Sequence, residues 1–385
     1  MKKSTTILFG ILALITTSLH AQDPDSTKTF TLSGSIDTYA HTTLGTTNGF
    51  GTWGPTTSFG DAKGFGLGMA NLIASYSGDK AGFTADLVFG PRGQAALFYG
   101  SPESGSITGQ RIINQLFAFY KLSDVVTVNL GQFNTFVGYE VISPAVNANY
   151  STSYLFSNGP FNHTGLRVDF AFSSGIVAKL AVMNPTDMLE FNPTNTYTVG
   201  GQLGKTGEAG GIWLNLLYGD QDGRPDADLD LDGTESAGNL FQVDLTGGWT
   251  LSDKFYLGVN TSYQTIGEGQ KLEGGNVEKL GNDATSFFGL AVYPKITFTE
   301  TTALAFRGEY FAMMKGHALA SPIAGDLSGD GSVIALTATG HIKAGGLTIM
   351  PEVRADMGSE DNYVKKDGGM TDTLLSLTLA AVYKF

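Results

Sequence analysis

Hydrophobic and polar positions alternate along most of this chain. In "HTGLRVDFAF", Leu166, Val168, Phe170 and Phe172 fall on one face of an extended segment, and Gly165, Arg167, Asp169 and Ala171 on the other. A period of two marks a β-strand, because successive side chains leave the pleat on opposite sides. The pattern returns in "ALAFRGEYF", where Leu304, Phe306 and Tyr310 oppose Arg307 and Glu309. It returns again in "GLTIMPEVRADM", where Leu347, Ile349, Pro351, Val353 and Met357 oppose Glu352, Arg354 and Asp356. Sixteen such segments are predicted, starting near residues 30, 64, 81, 110, 125, 163, 175, 196, 210, 239, 254, 284, 303, 332, 346 and 373. Tight connectors such as "SGDK" (77–80), "LSDK" (251–254) and "KAGG" (343–346) take turns with much longer stretches. That rhythm describes an up-and-down meander with short turns at one end and long loops at the other.

A soluble propeller also repeats over forty-odd residues, but it needs four strands per repeat and this chain offers two. Strands of about ten residues are long enough to cross an outer membrane at a tilt. Lipid supplies no water to unpaired backbone groups, so the two edges of such a meander must meet. The expected fold is therefore all-β: a transmembrane, antiparallel up-and-down β-barrel of about sixteen strands, with short periplasmic turns and long extracellular loops. The last segment, "DTLLSLTLAAVYKF", is expected to close on the first, "FTLSGSIDTYA". Tyr383 and Phe385 then share a face and resemble the C-terminal aromatic signal that the barrel assembly machinery recognises in outer-membrane barrels.

The N-terminal end agrees with export. Lys2 and Lys3 precede an apolar run from Ile7 to Ile15 and a short polar stretch to Ala21. Residues 1–21 read as a secretory signal peptide and 22–385 as one barrel domain. The apolar run is about half of the ~20 residues a membrane anchor needs. The 52 Gly, 15 Tyr and 25 Phe are spread throughout, with no linker between domains. Cysteine is absent, which excludes disulfides and a lipidated N-terminal cysteine. A net charge of −13 disfavours nucleic acid as a partner. Outer-membrane lipid and small hydrophilic solutes remain as partners. Nothing fixes the oligomeric state, and a trimer is compatible with the chain.

A Lys or Arg facing the middle of a bilayer costs roughly 2–4 kcal/mol. The charged faces must therefore turn inward, which makes Arg167, Asp169, Arg307, Glu309, Glu352, Arg354 and Asp356 candidates for lining a pore. Barrels of 16 to 18 strands commonly enclose an aqueous channel. Such charges could set ion preference, or simply bridge neighbouring strands.

Residues 130–172 carry a more specific pattern: Gly131 and Phe133, Gly138 and Glu140, then Tyr150, Ser151 and Ser153, and finally His163, Thr164 and Gly165. This run resembles the OmpL-like β-barrel porins, and the resemblance implies passive passage of small solutes with no catalytic residues. The stretch from Asn134 to Asn162 is too rich in Phe, Tyr and Val for a freely solvated or disordered loop. It is expected either to fold into the lumen, with Glu140 as a constriction charge, or to cap the rim.

Two further features bear on chemistry. Asp228, Asp230, Asp232 and Gly233 match the opening of a calcium loop, although Asn239 stands where a bidentate Glu belongs. Asp326, Ser328, Asp330 and Gly331 form a second partial match. The expectation is either weak extracellular calcium binding or a solvated acidic loop, and no other cofactor. Enzyme signatures are missing: His163 is followed by Thr164 rather than by the Asp-Ser-Asn-Gly of outer-membrane phospholipases, and neither G-x-S-x-G nor H-E-x-x-H occurs. The expected function is a diffusion porin and not an enzyme. The alternatives are a plugged barrel serving as adhesin or receptor, and a barrel hydrolase.

Overall fold

The structure, a computed structural model, describes residues 28–46, 57–59, 64–97, 111–192, 195–221, 238–267, 270–273, 276–279, 285–314, 331–361 and 363–385; the expected leader lies outside them. The wall strands are β1 (Thr29–Leu44), β2 (Gly64–Ser77), β3 (Ala81–Phe89), β4 (Ile113–Lys121), β5 (Val126–Asn134), β6 (Asn162–Ala171), β7 (Ile176–Met183) and β8 (Thr198–Thr206). They continue with β9 (Gly210–Gly219), β10 (Leu240–Ser252), β11 (Phe255–Ile266), β14 (Thr285–Thr297), β15 (Thr302–Met314), β16 (Gly331–Ala344), β17 (Leu347–Gly358) and β20 (Thr373–Lys384). These sixteen form one closed barrel in sequence order. Every predicted strand is present and begins within three residues of its expected start.

Two hairpins stand outside the wall, β12 (Gln270–Glu273) with β13 (Asn276–Lys279) and β18 (Tyr363–Val364) with β19 (Met370–Thr371). Two short helices, α1 (Pro91–Ala96) and α2 (Tyr154–Asn158), interrupt long connections. Short turns and long connections alternate around the barrel, so all the short turns lie at one end.

Alternation sorts the two faces. Leu116, Leu130, Leu166, Leu180, Leu203, Leu336 and Leu379 are all exposed on the outside and make an aliphatic band. Toward the short-turn end that band is edged by Phe30, Phe83, Tyr120, Phe172, Phe298 and Tyr383, and toward the long-loop end by Phe89, Tyr197, Tyr218, Phe241 and Tyr310. Two aromatic belts around an aliphatic band are what the two interfaces of a bilayer select. The opposite face carries the polar residues and the barrel's core.

Closure follows the expected pairing. β20 runs antiparallel to β1 from Ser35 opposite Lys384 to Leu44 opposite Leu375. Beyond it, the N–H of Phe385 donates to the carbonyl of Gly34 and the N–H of Gly34 donates back, each at 3.1 Å. A side chain at Gly34 would run into the backbone carbonyl of Asn71 and into the Phe385 ring, so the close approach requires glycine. Deleting Phe385 removes both of these hydrogen bonds from the end of the seam. The deletion should lower the yield of heat-modifiable barrel in outer-membrane fractions, as should the double change Tyr383→Ser with Phe385→Ser. Normal yield from both variants would show that the terminal aromatics are dispensable.

Candidate functional site: a loop folded through the lumen

Between β5 and β6 the chain turns into the barrel. Gly138, at φ +89, provides a left-handed turn that a larger residue resists. Asn147 folds its amide back on Val141, accepting from its N–H and donating to its carbonyl at 3.0 and 2.7 Å. Ser153 caps α2, its hydroxyl accepting from the N–H of Phe156 at 2.9 Å. Thr135, hydrogen-bonded to His163 at 2.9 Å, ties the first residue past β5 to β6. At the far end, the carboxyl of Asp187 accepts the N–H groups of Phe161 and Asn162 at 3.0 and 2.8 Å, and its burial pushes its pKa up to about 7.

From there the loop meets the wall on all sides. Phe136 and Val137 pack with Met183, Leu217, Leu240 and Ile266. Gly138 donates to Asp244 on β10 at 3.1 Å. Tyr139 stacks on Tyr293 of β14 with centroids 4.3 Å apart and donates to the hydroxyl of Tyr256 on β11 at 3.0 Å. The N–H groups of Tyr154 and Leu155 reach Glu309 on β15 at 3.0 and 2.8 Å. Asn149 donates to Thr339 on β16 at 2.7 Å. Tyr150 gives its N–H to Glu352 on β17 and its hydroxyl to Asp37 on β1, both at 2.7 Å. Burial raises the pKa of the Tyr139 and Tyr150 phenols well above the ordinary range, so both remain donors at any pH the membrane meets. On the remaining side, Arg92 of α1 donates to the carbonyl of Ile142 at 2.8 Å, and Ile142 and Phe161 pack with Met69, Val88 and Leu97. The loop spans the lumen and does not cap the rim.

Glu140 lies at the centre of this arrangement. Its Oε1 accepts from Nη1 of Arg307 at 2.8 Å and its Oε2 from the N–H of Ser153 at 2.7 Å. Arg307 also donates to the carbonyl of Ser151. Arg354 holds Asp356 with Nη2 at 2.7 Å and the carbonyl of Thr152 with Nη1 at 2.8 Å.

The expectation that Glu140, Arg307, Glu309, Glu352, Arg354 and Asp356 line a water-filled path is therefore corrected. They face inward, but each is no more than 7% exposed. Their charges are satisfied by loop backbone or by one another, because a buried charge without a partner is strongly destabilising. Arg167 and Asp169 differ. They pair at 2.9 Å with Lys179 sharing the carboxylate at 3.3 Å, and their side chains keep 14% and 24% of their surface open to the lumen.

Sequence patterning missed a second kind of group. Asp244 accepts amide hydrogens from Asn215 and Asn260, both at 2.7 Å, and Asp86 is held by Asn71, Asn114 and Gln115. Neither makes an ion pair among the described residues. The available signal was an acid at an inward position flanked by amides at inward positions of the neighbouring strands. Between loop and wall, Gln242, Asp244, Asn260 and Ser262 face Val137, Gly138, Leu155 and Phe156 across a small pocket.

The described histidines do not form a constellation: His41 bonds Thr378, His163 bonds Thr135 and His341 bonds the carbonyl of Ala148. His317 lies outside the described residues, as do Asp228, Asp230 and Asp232 and the second acidic match at Asp326 and Asp330.

A closed sixteen-strand barrel, belted by aromatics and crossed by an inward loop, belongs to the class of outer-membrane porin-type channel proteins. The chain is a member of the family described as "Putative beta-barrel porin-2, OmpL-like", whose pattern matches residues 29–385. It is accordingly an outer-membrane protein of a Gram-negative bacterium. No curated protein matches it. Among solved structures it resembles the outer membrane channel DcaP of Acinetobacter baumannii, with a TM-score of 0.56 and 12% identity over 93% of this chain and 97% of that one. It also resembles an anion-selective porin from Comamonas acidovorans (0.55, 10% identity, 93% and 100%) and OmpT, an outer-membrane-expressed protein of Vibrio cholerae (0.54, 11%, 94% and 99%). At such identities the likeness is one of fold.

Proposed function

We propose that this protein is a diffusion channel for small hydrophilic solutes or ions, and that residues 134–162 set its bore. Membership of a porin family supports the channel, and the observation that carries the rest is the inward loop, tied to β10, β11, β14, β15, β16, β17 and β1. The short turns face the periplasm and the long loops the exterior. The charges that anchor the loop act on its position, and solutes pass whatever space the loop leaves. Conductance of the purified chain in planar bilayers tests this reading: small ohmic steps support it, and silence from a folded barrel rejects it.

One observation favours a second reading. The loop packs into four apolar clusters spread around the wall, as a plug would. A plugged barrel would act through its outer loops as a receptor or adhesin. A folded intact chain that stays silent, conducts only once its loop is deleted, and binds at the cell surface would favour this reading over the channel.

The acidic loop at Asp228, Asp230 and Asp232 is proposed to bind calcium weakly, at about 10⁻⁴–10⁻³ M, because Asn239 cannot supply the bidentate ligand. Calorimetry should show calcium heat that disappears when all three become Asn. Equal traces would make the loop merely acidic.

A further inference from the structure

We infer that the periplasmic mouth of the lumen is a collecting site for small oxyanions, formed by Lys295, Lys343 and Lys384; the sidedness rests on the channel reading above. Each lysine occupies an inward position at the short-turn end of its strand. Lys295 follows Tyr293 by two, Lys343 follows His341 by two and Lys384 follows Val382 by two, and all three reference side chains are buried inside the barrel. Strand alternation puts each lysine on that same face.

Lys343, on the strand between, is near enough for its ammonium to repel those of Lys295 and Lys384. None has an ion pair among the described residues. Lys343 is exposed and the other two are half-buried, so all are reachable from water.

The loop accounts for the sign of what a solute meets. Apart from Asp169, the inward carboxylates of the wall strands described above, and Glu140 with them, are each no more than 7% exposed, covered by loop backbone, arginine or amide. Asp169 is shared between Arg167 and Lys179, which leaves that group cationic as well. The accessible inner wall thus presents ammonium and guanidinium groups although the whole chain is acidic. Carboxylates on the turns, such as Asp253 and Glu300, sit in open water where salt screens them, whereas the lysines stand on a low-dielectric wall. Small carboxylates or phosphates fit this chemistry, since an oxyanion can take hydrogens from more than one ammonium.

Reversal potential across a KCl gradient tests the inference. The wild type should prefer chloride, and the variant Lys295→Gln/Lys343→Gln/Lys384→Gln should lower the chloride-to-potassium permeability ratio about threefold at low salt, with little change at 1 M where screening is about 3 Å. Lys343→Gln alone, at the exposed position, should shift the ratio the same way by less, and serves if the triple variant fails to fold. Cation preference in the wild type, or an unchanged ratio in the folded variants, overturns the inference. Silence from the folded intact chain would reject the channel reading instead. Calorimetry with inorganic phosphate then decides: heat seen in the wild type and lost in the lysine variants supports the site, and no heat in the wild type overturns it.

Discussion

Removing Val141 to Asn158 will raise single-channel conductance at least about twofold and admit larger solutes, because conduction is set by the narrowest section. The deletion takes away the segment that carries Tyr150, Tyr154 and Leu155, and with it the contacts to Glu309, Glu352 and Asp37. β5 and β6 remain paired along their length from Val126 opposite Phe170 to Asn134 opposite Asn162, so the wall can still close. The uncovered acids, Glu309 and Glu352 among them, would then face water. Cation preference should therefore rise along with conductance. A folded deletion variant with unchanged conductance would mean that the constriction lies elsewhere, and Arg167 with Asp169 and Lys179 would be the next group to change.

The second large effect lies in the Glu140–Arg307 pair, both side chains of which are almost fully buried. Arg307→Met leaves Glu140 charged and without its cation, and Glu309 without the attraction of that guanidinium. Breaking such a pair from one side costs about 3–5 kcal/mol. That cost falls on loop docking, since the wall strands keep their ladder. The single variant should show conductance excursions toward the loop-deleted level and faster proteolysis between β5 and β6. The double change Glu140→Gln with Arg307→Met removes both charges and should recover most of the docking, because two neutral groups can be buried where one charge cannot. Equal behaviour of single and double variants would show that the pair does not hold the loop.

The strands were legible because lipid outside and polar groups inside enforce a period of two, which the local register slips at Ile36/Thr38, Asp86/Leu87 and Thr250/Ser252 interrupt without erasing. Seam closure was legible because "DTLLSLTLAAVYKF" alternates as "FTLSGSIDTYA" does, and the two pair, with Phe385 bonded to Gly34. The inward course of the loop was open to inference from its aromatics. α1 and α2, of six and five residues, are too short to display a helical period. The role of the inward charges stayed open because parity tells which face a residue takes and not what covers it. Glu309 meets Tyr154 across 155 positions and Glu352 meets Tyr150 across 202. Such contacts depend on the path of the loop, and no local pattern records them. The amide cradle of Asp244 depends on register, since Asn215 stands directly opposite it on β9.

The most direct test of the account is the single-channel behaviour of the intact, heat-modifiable chain in a planar bilayer, run beside the loop-deleted form. The account predicts small discrete ohmic steps from the intact chain and larger ones from the deletion. A folded intact chain that leaves the bilayer silent would contradict it, whatever the deletion variant does.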